Sequence, residues 1–226
     1  MNLINYTCVK QPLYRYDIID PKQTFTAYLK SCSQFFAYLK VIKPDPRLVN
    51  FGDALNTYHN NWILLVSNIL QSYDHSCAGF DNQNELIKTK ICIPYDTVIE
   101  RMALEQYTFN SVDGYKNIWG PVYWKFLHLT SILCKTSYQR SLFGANMMNF
   151  NLTLICGNCS ANYKKKNPFV LMTILTLQDD CITPIFTLHN TVNAALNKTL
   201  FSFEDFLATY NLKAYENKIL SINYIS

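Results

Sequence analysis

The amino-acid sequence predicts an all-α protein. Three observations carry that reading: apolar residues recur at spacings of three and four, prolines stand where helices start or stop, and the alternation of strand and helix patterns that a mixed sheet requires is missing. With 49% of its 226 residues apolar and 16% charged, the chain has the material to bury a core and little of the signature of disorder.

Each element follows from local signals. Phe25, Tyr28, Leu29, Cys32, Phe35, Phe36 and Leu39 form one helical stripe, opened by Pro21 and followed by Pro44. A second apolar-periodic segment runs from about Leu48 to Tyr73 through Leu55, Trp62, Leu65, Val66 and Ile69, as one helix or a broken pair. Gly79 and several Asp and Asn residues make Cys77 to Asn84 a loop, and a helix is expected at Tyr95–Tyr107 after Pro94. The polar stretch Ser111 to Asn117, with Gly114, reads as a break. It places a boundary between a helical N-terminal region, 1–114, and a second region, 115–226. In the second region helices are expected over Pro121–Ser137 and Arg140–Leu152, although Asn149 to Ile155 alternates enough to mimic a strand. A third begins at Cys156/Cys159 and ends before Pro168. Thr183 and Pro184 supply an N-cap and first-turn proline for a fourth reaching about Lys198. A short fifth is capped by Ser202, with Asp205 three residues on.

Charge and composition narrow the class of function. The net charge of +4 is too small to argue for a nucleic-acid partner. The one dense basic run, Lys164–Lys166, reads equally as a solvated helix face or an anion contact. No leader pattern is present and no apolar run approaches the ~20 residues that cross a bilayer, so no membrane role is expected. Glycosylation sequons occur at Asn5, Asn151, Asn158 and Asn197. A glycan on Asn158 would obstruct the cysteines on either side, so an intracellular protein is expected rather than a secreted one.

Eight cysteines are mostly scattered singly, unlike a disulfide framework, and most are expected to be buried thiols. Cys156-Gly-Asn-Cys159 is the exception. It permits half a zinc site, a redox disulfide, or two unrelated thiols. A structural zinc needs a second closely spaced Cys/His pair, which the chain lacks, so no metal is expected. A redox pair gains from a helix N-terminus, where backbone N–H groups favour the thiolate, and the pair sits where one is expected.

Two further constellations lie on helices. His189 and Asn193 stand one turn apart and with Lys198 make a polar ribbon beside the apolar stripe of Ile185, Leu188, Val192 and Leu196. Trp124 and His128, four apart and preceded by Gly120, can wall one slot. Singly, each histidine reads as a core residue and Trp124 as packing. Together they suit a long polar ligand with an aromatic part.

In order and interval these elements resemble the Erv/ALR family of FAD-linked sulfhydryl oxidases, with its Gly-x-x-x-Trp-x-x-Leu-His, Cys-x-x-Cys and His-Asn-x-Val-Asn-x-x-Leu-x-Lys motifs. The likeness covers Trp119 to about Tyr210 and implies an FAD-binding bundle of four helices plus a short fifth, with the N-terminal region added. It implies FAD as cofactor, with Gly120, Trp124, His128, His189, Asn190, Asn193 and Lys198 around its adenine, ribose and pyrophosphate. Cys159 would lie against the isoalloxazine, and Cys156 would exchange with protein dithiol substrates, oxygen being the final acceptor and hydrogen peroxide the product. A homodimer is also implied. The length and helicity of the first 110 or so residues look like the extended form in baculoviruses and related large insect viruses, which would place the protein in a host cell's cytoplasm or nucleus, or in a virion.

The chain departs from the family at Pro121, where Arg is usual, and at Ile155, where Pro is usual; Lys164–Lys166 could replace the lost contact. The family's structural disulfide would fall at Phe186 and Phe203. A shuttle pair, if present, would be Cys77 with Cys92. Two alternatives stand beside the oxidase: an inactive virion component that keeps the bundle, and a flavin-free, thioredoxin-like thiol exchanger.

Overall fold

Pro21 starts the first long helix, where its fixed φ and missing N–H suit the first turn, and the Asp20 carboxylate accepts from Gln23 N at 2.9 Å to cap it. This is a computed structural model, and it describes residues 14–41, 52–77 and 114–216. Strand β1 (Tyr14–Ile18) precedes helices α1 (Pro21–Val41) and α2 (Gly52–Cys77). Then come α3 (Gly114–Leu133), α4 (Ser137–Met148), a 3-10 turn (Phe150–Thr153), α5 (Gly157–Lys164), α6 (Pro168–Leu177), α7 (Ile182–Ala195), α8 (Phe203–Thr209) and strand β2 (Leu212–Glu216). The helix expected at Tyr95–Tyr107, together with Cys8 and Cys92, lies outside the described residues.

The predicted all-α class is what the structure shows, with four local corrections. Helix α3 begins at Gly114, so the break expected through Asn117 is helical from that point and Pro121 sits inside a helix instead of opening one. Proline favours the first turn, but next to Gly120 the loss of one backbone bond is tolerated in mid-helix. Helix α6 was not expected. Its sequence PFVLMTILTL is apolar on every side and so has no 3.6-residue contrast to read. The antiparallel β1–β2 ribbon, pairing Tyr14 with Glu216 and Ile18 with Leu212, was also unread, because each strand is too short to show a period. The strand-like stretch Asn149–Ile155 is a 3-10 turn and an extended tail leading into Cys156.

Helix α1 packs on α3 and α2 on α4, and one hydrophobic core runs through all four. Its centre is aromatic. Phe35 stacks on Phe126 with centroids 4.0 Å apart, and Trp62 meets Phe126 edge-on at 5.4 Å and Phe143 at 6.3 Å. All four rings are fully buried. Each such burial contributes about 1.5–3 kcal/mol, and each contacting aromatic pair about 0.5–1.5 more. Gln139 completes a capping box with Thr136 at the start of α4 and donates its amide to Ser72 Oγ of α2 at 2.9 Å.

On the other side of α4, Gly144 permits a close approach to α6. A Cβ there would lie 2.8 Å from Thr176 Oγ1 and 2.9 Å from the Met172 carbonyl oxygen.

Candidate functional site

A large cavity of about 1250 Å³ opens between α3, α5, α7 and the segment after α7, with α1 closing one side. Its volume exceeds the roughly 300–1,000 Å³ usual for small-molecule sites. Gly120, Trp124, His128, His189, Asn193 and Lys198 all line it, and so does Cys159.

Helix α3 supplies one wall because Trp124 and His128 lie one turn apart, and α7 supplies the next with His189 and Asn193. The two walls touch. The Trp124 and His189 rings are stacked at 4.2 Å and 16°, and His189 lies 5.0 Å from His128. Trp124 therefore builds a stack with His189 rather than a slot with His128, whose ring is 6.0 Å away. His128 is almost wholly buried, shares a hydrogen bond of 2.9 Å between Nδ1 and the Tyr210 hydroxyl, and has no partner at Nε2. His189 Nδ1 is likewise buried and unpartnered. Burial, and then the neighbouring His189, lowers the pKa of His128 to about 3. Burial, and then the Lys198 ammonium, lowers that of His189 to about 4. Both imidazoles are neutral at pH 7; with Nδ1 of His128 committed to Tyr210, His128 Nε2 and His189 Nδ1 are the buried ring nitrogens left for a polar ligand.

Asn190 is placed differently from its expected role. It is absent from the cavity wall, and its amide is spent on one backbone residue, accepting from Phe201 N at 2.8 Å and donating to Phe201 O at 2.8 Å. This two-point clamp shapes the segment from Asn197, at φ 52°, to the Ser202 cap of α8. Lys198 hangs on that segment, its N–H bonded to the Asn193 carbonyl at 2.9 Å. Helix α7 thus ends before Lys198, and the carboxylate of Asp180, not the Thr183 hydroxyl, accepts the first N–H groups of α7.

Cys156 and Cys159 form a disulfide with Cα atoms 5.1 Å apart at the start of α5. Cys156 is the N-cap, its Sγ accepting from Cys159 N at 3.2 Å. Cys159 faces the cavity, while Cys156 lies outside the lining, next to exposed Gly157 and Asn158. Lys165 and Lys166 reach the cavity rim; Lys164 does not. Sequence reasoning missed Tyr210, Trp119, Tyr163 and the α1 residues Gln23, Thr24 and Ala27 as wall residues. Aromatic residues carry no mark that separates wall from core, and α1 precedes every motif.

The donor set suits a dinucleotide. Two buried imidazole nitrogens await partners, Lys165, Lys166 and Lys198 can face a pyrophosphate, and nothing lies within 4 Å of where a Gly120 Cβ would stand, so a ligand can approach that backbone.

The chain is 32% identical over 101 residues to an FAD-linked sulfhydryl oxidase of African swine fever virus (isolate Warthog/Namibia/Wart80/1980), a match covering 41% of this chain and 79% of the relative. It belongs to the FAD-linked sulfhydryl oxidase family. A second sulfhydryl oxidase of that virus (isolate Pig/Kenya/KEN-50/1950) is 29% identical over 98 residues, again 41% of this chain and 79% of the relative. No family model and no solved structure matches. The share of the chain that matches these sulfhydryl oxidase relatives is under half. Among the described residues no helix is long and apolar enough to cross a membrane, and no cluster of three metal-ligating side chains occurs.

Proposed function

We propose that this chain oxidises protein dithiols to disulfides through Cys156 and Cys159, with FAD bound in the cavity and oxygen as the final acceptor. The observation that carries the reading is the asymmetry of the pair: Cys159 is among the residues that line the cavity and Cys156 is not. A substrate thiolate attacks Cys156 Sγ, the S–S bond breaks, and Cys159 leaves as a thiolate on the cavity side. The second substrate thiolate then attacks the mixed disulfide, and Cys156 leaves as a thiolate, taking the Cys159 N–H bond and the N-terminal end of the α5 dipole as stabilisation. When bound, FAD supplies a two-electron acceptor for this dithiol that oxygen can reoxidise, giving hydrogen peroxide.

The protein's own part is to hold and orient. Trp124, His128 and His189 offer ring faces and imidazole nitrogens to the adenine and ribose; Asn193, Lys198, Lys165 and Lys166 offer polar contacts to the ribose and pyrophosphate. Asn190 acts as a positioning residue through Phe201. The homodimer belongs to the same reading. Flavin absorbance in the purified full chain, with oxygen uptake on adding dithiothreitol, is the expected result. A colourless protein that consumes no oxygen when supplied with FAD would overturn the reading in favour of an inactive bundle.

A further inference from the structure

One wall of the cavity comes from none of the sequence motifs: the first turns of α1, where Gln23, Thr24 and Ala27 line it. Their spacing puts all three on one face of the helix. That end of α1 is fastened to the segment after α8. The ribbon pairs Ile18 with Leu212, the N–H of Ile19 donates to the Asn211 carbonyl at 2.9 Å, and the Asn211 side-chain amide donates to Gln23 Oε1. Asn211 stands at φ 51°, a left-handed conformation that asparagine tolerates, where the chain turns from α8 into β2. Its neighbour Tyr210 bonds His128, so Gln23 and Asn211 lie at the end of the cavity that Tyr210 and His128 wall. Gln23 also borders a neighbouring groove with Lys22 and Lys30, which puts it at the rim.

We propose that the paired amides of Gln23 and Asn211 read the edge of the adenine base, and so select the nucleotide half of the cofactor; the proposal rests on the FAD reading above. The bond between the two amides uses one N–H of Asn211 and the Oε1 of Gln23. The NH2 of Gln23 and the Oδ1 of Asn211 remain, a donor and an acceptor on adjacent side chains of the lining. Adenine carries the complement on one edge, where N1 accepts and the N6 amine donates. This is the kind of two-point match by which an amide side chain recognises adenine in nucleic acids. Thr24 and Ala27 are small and leave room for a flat ring beside α1, while the Trp124–His189 stack offers it a face.

A hypoxanthine base reverses the pattern, with a hydrogen on N1 and an oxygen at position 6. Donor would then face donor and acceptor face acceptor, and both amides would lose their partners. Gln23 and Asn211 stand 188 positions apart in the chain, and only the ribbon and the start of α1 bring them together. Base selection therefore draws on the first stretch of the chain, which otherwise serves the core.

The full chain, stripped of flavin, is titrated with FAD and with flavin hypoxanthine dinucleotide while its tryptophan fluorescence is followed, beside the Gln23→Ala and Asn211→Gly variants. Glycine is the choice at 211 because it adopts the left-handed φ without cost. The unmutated chain should favour FAD by at least about tenfold, the discrimination that a two-point contact with a base edge supplies. Each variant should lose most of that preference through weaker binding of FAD. A general loosening of the fold would weaken both flavins alike and keep the preference, and that result would overturn the proposal. Equal binding of the two flavins by the unmutated chain would overturn it as well. An unmutated chain that takes up neither flavin would overturn the function proposed above, and the adenine contact with it.

Discussion

His128 and His189 are uncharged in the folded chain at pH 7, and the unfolded chain at mildly acidic pH is not. Because both folded-state pKa values, about 3 and about 4, lie below the ordinary value of 6.5, the unfolded state binds more protons in between. The stability they contribute is full above about pH 6.5 and is lost as pH falls toward the folded values. The melting temperature should be flat above neutrality and decline steeply between about pH 6.5 and 4.5. A His189→Asn variant should show a shallower decline, and an unchanged slope would show that other groups govern it. For the chemistry, Cys156→Ser and Cys159→Ser should each abolish turnover while leaving FAD bound, since neither residue belongs to the Trp124–His189 stack proposed above to receive the adenine. Wild-type oxygen uptake by the Cys156→Ser protein would remove that residue from the exchange step. His189→Ala should lower the ratio of flavin to protein absorbance. The paired cysteines of α5 and the histidines of the cavity wall were legible because their types and spacings are rare together. The role of Asn190 was not, because the same side chain at the same spacing can bond a ligand or a backbone, and only the course of the chain after α7 decides which.

Helix α8 shows how a covalent tie can be replaced by packing. The Phe186 and Phe203 rings meet edge-on at 5.3 Å, and Phe186 also meets Phe206 at 5.6 Å. Phe206 is fully buried, whereas Phe203 is half-buried, with one edge against Tyr16 of β1. The centre of the replacement is therefore Phe206. Phe206→Ala should cost about 3–5 kcal/mol in denaturant unfolding and Phe203→Ala roughly half of that or less. Equal costs would mean that the contact at Phe203 carries more than its burial suggests. Asn190→Ala removes both bonds to Phe201 and should cost about 1–3 kcal/mol. It should also weaken FAD binding in a fluorescence titration, although the side chain does not reach the cavity. Caps and turns were readable at this scale, as at Ser202, whose Oγ accepts from Asp205 N at 3.0 Å. The extent of α3 was hidden because proline is ordinarily a boundary, and α6 because a uniformly apolar helix has no face to betray it.

At the scale of the molecule, the stretches that the sequence reading separates at residue 114 differ in motif content, while helices from both contribute to one core. Phe126, Phe143 and Phe150 of the second region rest on Phe35 or Trp62 of the first. A fragment beginning at residue 115 should consequently expose this aromatic face, bind a hydrophobic dye and aggregate, which light scattering would register. A monodisperse, flavin-loaded fragment would show that α1 and α2 are dispensable. The all-α class was legible from periodicity alone. The pairing of α1 with α3 and of α2 with α4 was not, since amphipathic stripes say that a face is buried without saying against what.

The β1–β2 ribbon has a consequence in time. It joins Tyr14 to Glu216, so β1, once it leaves a ribosome, must wait for about 200 further residues before it finds its partner. At synthesis rates of about 5–20 residues per second, that delay is roughly 10–40 s. Tyr210, which bonds His128 in the cavity wall, is translated just before β2. Until then the site lacks one side, and the Phe35 and Phe126 surfaces can pair long before the cavity closes. A nascent chain is thus able to build its core early and to capture its cofactor only once Tyr210 and β2 have emerged.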